Sequence, residues 1–70
     1  MEAKEFGRFI AGMRKEKKMT QAELADKIDV SSKTVSKWET AKGLPDISLL
    51  EPLSAALGVS VMVLMKGDAV

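Results

Sequence analysis

The 70-residue chain has a net charge of +1, 46% hydrophobic residues, and neither cysteine nor histidine. That length suits one domain, 1–70, and the missing residue types exclude disulfide and zinc staples, so helix packing must hold it together. No stretch reaches the ~20 apolar residues of a membrane span, and the charged N-terminus lacks a signal-peptide core, so a soluble cytoplasmic protein without cofactor is expected.

The charge divides unevenly. Residues 1–45 hold ten Lys and Arg against seven acids, while residues 46–70 hold Lys66 against Asp46, Glu51 and Asp68. A positive half suits a polyanion, although an ordinary solvated surface reads the same way.

Phe6, Phe9, Ile10 and Met13 recur at i, i+3, i+4, i+7, which predicts a first helix over about Lys4 to Lys17. Its last turn is crowded with Arg14, Lys15, Lys17 and Lys18, cations that complement the negative end of the dipole. Thr20 and Glu23 form a capping box that opens a second helix, about Gln21 to Ile28, with Leu24, Ala25 and Ile28 inward. Ser31 is the N-cap of a third helix, about Ser32 to Thr40. Gly43-Leu44-Pro45-Asp46 is loop chemistry.

A fourth helix covers about Ser48 to Leu57, and Ser48 with Glu51 offers a second capping box. Pro52 has no N–H to donate, so either the first turn is bent or the regular helix begins near Glu51. Gly58 ends it in a left-handed conformation, and Ser60 caps a short fifth helix, about Val61 to Met65, closed by Gly67. No strand alternation appears. The expected fold is all-α, a compact five-helix bundle.

Helices 2 and 3 are joined by a very short turn centred on Val30, which forces the steep crossing of a helix-turn-helix over about residues 20–40. Asp29 occupies the tightest part of that turn, where a left-handed backbone is expected, and aspartate tolerates it better than most residues. At about 100° per residue, Ser32, Lys33, Ser36 and Lys37 share one face of helix 3, opposite Val35 and Trp38. That outer face carries hydroxyls and ammonium groups without an acid, which suits the major groove of DNA. Ser32, Lys33 and Lys37 are assigned to base edges, with Thr34 and Ser36 supporting them or touching the backbone. Gln21 and the N–H groups beside Thr20 at the start of helix 2 are expected to clamp a phosphate, and Lys18 and Lys42 to add contacts independent of sequence. Trp38, beside Val35, belongs to the core. Glu39, an acid at a helix C-terminus beside a phosphate-binding face, needs a fixed partner, and Arg14 is the candidate for a bidentate pair.

The run Thr20-Gln21-Ala22-Glu23-Leu24-Ala25, then Val30-Ser31, Val35-Ser36, Trp38-Glu39 and Leu57-Gly58-Val59-Ser60-Val61, closely resembles the phage repressor/Cro-like helix-turn-helix family, also called the XRE family. The resemblance covers Phe6 to Gly67. It implies a lambda-repressor-like domain of a bacterial or phage transcriptional regulator, in which Gln21 contacts DNA backbone and base, helix 3 reads the operator, and Arg14 pairs with Glu39. Asp29 and Ala41 depart from the pattern, standing where glycine is common. Met62 and Val63 replace residues that are often polar, which makes Val59 to Met65 either a dimer or docking surface or a better-packed core.

Without histidine, cysteine, tyrosine, paired carboxylates or a glycine-rich phosphate loop, the chain is not expected to be an enzyme. The expected function is sequence-specific binding of double-stranded DNA as a transcriptional regulator, a repressor above all. The expected form is a homodimer on a pseudo-palindromic operator with half-sites ~34 Å apart. A further domain on a longer chain fits the same residues. The alternative is an antitoxin or adaptor whose main partner is another protein.

Overall fold

Four of the five helices begin where a side chain takes up orphan N–H groups of the first turn. In the structure, a computed structural model that describes residues 1–66, α1 spans Ala3–Glu16 and opens one residue earlier than the apolar spacing suggests. Glu2 is its cap, and its Oε1 accepts from the N–H of Lys4 and of Glu5 at 2.6 and 3.1 Å. Helix α2 (Gln21–Lys27) opens on the complete capping box of Thr20 and Glu23, and α3 (Ser32–Glu39) on Ser31. Helix α5 (Val61–Lys66) opens on Ser60, whose Oγ accepts from Val63 N–H at 3.1 Å.

The fourth helix starts differently from the expectation. Ser48 caps nothing: its N–H and hydroxyl both donate to Asp46, at 3.1 and 2.6 Å. Asp46 thereby caps a single 3₁₀ turn, Ile47–Leu49, which runs straight into α4 (Leu50–Leu57). Pro52 falls in the first turn of α4, where no intrahelical acceptor waits for its N–H, so it breaks no bond. Gly67, expected to close α5, lies outside the described residues.

The first four helices end alike. Met19, Val30, Lys42 and Val59 each donate back across the turn, to the carbonyls of Arg14, Ala25, Lys37 and Ser54, at 2.8–3.0 Å. This wide closure needs a left-handed residue just before the donor, and Lys18, Asp29, Ala41 and Gly58 hold φ of 59°, 60°, 61° and 70°. In three of these four turns the donor is apolar and folds back on the core, while in the turn after α3 it is the exposed Lys42. Only one of the four left-handed positions is glycine, so three turns carry the steric cost of a Cβ. Ala41→Gly is expected to raise stability by about 1 kcal/mol, and Asp29→Gly by less, because aspartate tolerates the left-handed region better than alanine does. Thermal melting checks this: a Tm rise of about 4–8 °C for Ala41→Gly is predicted, and a fall would remove the argument.

Phe6, Ile10, Leu24, Val35, Leu53, Leu57 and Leu64 are fully buried and bring all five helices to one core. Helix α1 lies across α3 and also meets α5, while α2 packs on α3. The crossing of α1 over α3 is made possible by Gly7. A Cβ there would overlap the carbonyl oxygen of Trp38 and stand 3.0 Å from that of Glu39. Among the described residues there is no strand, and the architecture is an all-α bundle of five helices.

Candidate nucleic-acid interface

The 3.6-residue repeat of α3 separates its two faces. Val35 and Trp38 are buried, with Trp38 only 4% exposed. Ser32, Lys33 and Lys37 stand exposed on the other side, and Thr34 and Ser36 sit half-buried at its margins. Thr34 is drawn into the helix start, where its hydroxyl lies 3.0 Å from that of Ser31 and its N–H donates to Ser31 Oγ at 3.2 Å. Thr40 turns its hydroxyl back to the Ser36 carbonyl at 2.8 Å. Lys42 is exposed just past the helix, and Lys18 is exposed in the turn before α2. The Thr20 hydroxyl is spent on the Glu23 N–H at 3.0 Å.

Glu39, the one acid of α3, faces away from the lysines. Its Oε2 accepts from Arg14 Nε at 2.7 Å, and its Oε1 from Arg14 Nη2 at 3.0 Å and from Gln21 Nε2 at 2.9 Å. Arg14 Nη1 donates to the Met19 carbonyl at 2.8 Å, so one guanidinium ties the end of α1, the approach to α2 and the tail of α3. Both side chains are nearly buried, at 10% and 7% exposed. Gln21, expected on a phosphate, thus has its amide turned inward to Glu39. Apolar spacing could not reveal this contact, because residues 21 and 39 meet only through the helix-turn-helix angle.

Burial alone would push the Glu39 carboxyl up; hydrogen bonds from Arg14 and Gln21, with the charges of Arg14 and Lys15, outweigh it and hold the group below the usual carboxylate range. A carboxylate lowered in the folded state stabilises the fold above its unfolded pKa of about 4.3, and that stability is lost as pH falls through the folded value. Unfolding by urea is therefore expected to become easier below about pH 4.5 and, for this pair, to be flat from about pH 6 to 8. A Glu39→Gln variant should have a shallower acid limb, and an unchanged limb would remove Glu39 from the account.

Met62 is 69% exposed and Met65 47% exposed on the outer side of α5. Val63 instead packs, half-buried, against the core, so the apolar stretch of α5 divides between the two readings given it.

The profile of the helix-turn-helix family matches residues 10–64. The chain belongs to this family. Among solved helix-turn-helix structures, the P22 c2 repressor in complex with synthetic operator 9T superposes with a TM-score of 0.85 at 38% identity, over 90% of this chain and 96% of that one. The HTH-type transcriptional activator BcrR of Enterococcus faecalis is 34% identical over 64 residues, 91% of this chain and 31% of that protein. Hydroxypropylphosphonic acid epoxidase from S. wedmorenis has a similar fold in one third of its length: TM-score 0.79, 27% identity, 89% of this chain and 33% of that one. The helix-turn-helix chain spans between 31% and 48% of the curated relatives it matches.

Proposed function

We propose that this helix-turn-helix chain binds double-stranded DNA sequence-specifically as a transcriptional regulator, with α3 in the major groove. The observation that carries the reading is the outer face of α3, where Ser32, Lys33 and Lys37 are exposed while Glu39 is withdrawn into the Arg14 pair. Likeness to an operator-bound repressor supports it. Lys33 and Lys37 donate to guanine O6 and N7, Ser32 to a base edge, and Ser36 and Thr34 flank them. Lys42 and Lys18 neutralise phosphates at either side, beside Thr20 and Gln21 at the head of α2.

The action is physical occupancy of an operator rather than chemistry. The chain has no histidine, cysteine or tyrosine to act as base or nucleophile. One domain makes few base contacts, so two copies act on a pseudo-palindrome with half-sites ~34 Å apart. The exposed Met62 and Met65 offer a place for the copies to meet. A bacterial or phage cytoplasm is the matching compartment.

A salt titration on duplexes selected from random DNA tests the reading. Binding should weaken with a log–log slope of about −0.9 per phosphate neutralised. Lys33→Ala should flatten the preference among sequences by about 1–3 kcal/mol at one position, whereas Lys42→Ala should weaken all duplexes alike and reduce the slope by about one contact. Absence of salt-dependent binding to any duplex would overturn the proposal in favour of a protein partner.

A further inference from the structure

The solvent side of α1 is divided by charge. At about 100° per residue, with Lys4 set at zero, Arg8 lies at about 40° and Lys15 at about 20°. Glu5 and Glu16 form a separate stripe at about 100° and 120°. Gly7, which meets the end of α3, lies at about 300°, so the basic stripe is the one beside α3. Lys4, Arg8 and Lys15 are exposed, and among the described residues none of them makes an ion pair.

The stripe borders an open depression of about 410 Å³ lined by Lys4, Arg8, Glu39, Thr40 and Ala41. Lys15 lies close enough to Glu39 for its charge to help hold that carboxyl down. On α3, with Ser32 at zero, Ser36, Lys33 and Lys37 fall at about 40°, 100° and 140°, and Thr40 at about 80°. The exposed Thr40 thus continues the outer face of α3 and carries it to the rim of the depression. Its hydroxyl is turned back on the Ser36 carbonyl, so the groups free to reach a ligand at that rim are the two cations of α1.

The chemistry of the depression selects its occupant. The carboxyl end of α3 lies against Gly7 at its edge, and the partial negative charge there disfavours an anion seated deep. An anion is instead held at the rim, by the tips of Lys4 and Arg8, which are ~6 Å apart along the helix axis. A guanidinium grips a phosphate through two parallel N–H donors, and an ammonium adds a point charge. The anion that runs on from a base-reading face is the backbone of the same duplex.

We propose that Lys4 and Arg8 form a further phosphate-binding site, on the strand that leaves the major groove past the carboxyl end of α3. The inference rests on the DNA-binding reading above. It lengthens the footprint with contacts that are independent of sequence and come from α1 rather than from the helix-turn-helix.

The test uses the full chain on its preferred duplex. Lys4→Gln with Arg8→Gln should reduce the log–log salt slope by about 1.8, the value of two contacts, and leave the ranking of sequences unchanged. Both side chains are exposed and glutamine is a good helix former, so the fold is kept. Lys17→Gln with Lys66→Gln removes the same charge from the side of α4 and α5, where the Lys17 ammonium lies over Gly58, and should leave the slope nearly unchanged. Replacing single phosphates by neutral methylphosphonates locates the contact. At one or two positions beyond the base pairs that α3 reads, the replacement should weaken the wild type and leave the Lys4 and Arg8 double variant indifferent. An unchanged slope with a lowered Tm would overturn the inference, because the two cations would then serve only the dipole of α3. An equal loss of slope in both double variants would overturn it too, since the general field of the protein would account for it. Failure of the wild type to bind any duplex would sink the DNA reading itself, and the inference with it.

Discussion

Gly7→Ala is expected to cost about 3 kcal/mol and to lower Tm by more than about 10 °C. The intrinsic helix preference runs the other way, favouring alanine over glycine by about 1 kcal/mol inside a helix. The crossing decides the sign. The added methyl would overlap the Trp38 carbonyl and press on Glu39 O at 3.0 Å and its carbonyl carbon at 3.1 Å. Those atoms belong to the backbone of α3 and cannot rotate aside as a flexible side chain would. Relief requires α1 to back away from α3, which opens the contact over Phe6, Ile10 and Trp38. Gly12 is the control, because a Cβ there meets nothing within 4 Å, and Gly12→Ala should stabilise by about 1 kcal/mol. Parallel urea curves check the pair. Two variants of equal stability would mean that the crossing is looser than its geometry.

Arg14→Met should be nearly as severe, costing about 3–5 kcal/mol. The variant leaves the Glu39 carboxylate 7% exposed with Gln21 as its remaining side-chain donor, and strips the Met19 carbonyl of its partner as well. Methionine fills most of the space, so the loss is electrostatic rather than a cavity. Removing both charges is informative in the opposite sense. Arg14→Met with Glu39→Met should recover much of the stability, since a buried pair offsets its own desolvation only narrowly. The pair then serves orientation of the helix ends more than net stability. A single-variant cost under about 1 kcal/mol would place the bridge among ordinary surface pairs.

Much of this architecture is legible in the sequence. Thr20 with Glu23, Ser31 and Ser60 mark helix starts by local hydrogen bonds, and local chemistry survives folding unchanged. Asp29 and Gly58 take the left-handed conformations that their turns require. What escaped was decided by competition or by distance. Ser48 has the spacing for a cap, but the Asp46 carboxylate two residues earlier captures both its N–H and its hydroxyl. Glu2 caps α1 from beyond the first apolar residue, where no periodicity points. Gly7 did leave a trace: a glycine kept on the apolar side of a helix, between Phe6 and Phe9, implies that something must approach closely. In the candidate interface, the outward placement of Lys33 and Lys37 follows from helical period alone. The inward turn of Gln21 depends on an angle between helices that no local pattern encodes.

Trp38 is the chain's one tryptophan, and there is no tyrosine to compete with it. It sits at the back of α3, its carbonyl against Gly7, beside the residue that Arg14 and Gln21 hold. The molecule therefore carries a native optical probe at the hinge between its scaffold and its reading surface. Ultraviolet emission from this protein reports on the seating of one helix rather than on an average over the fold. A spectral shift on adding a ligand would locate the disturbance without any label.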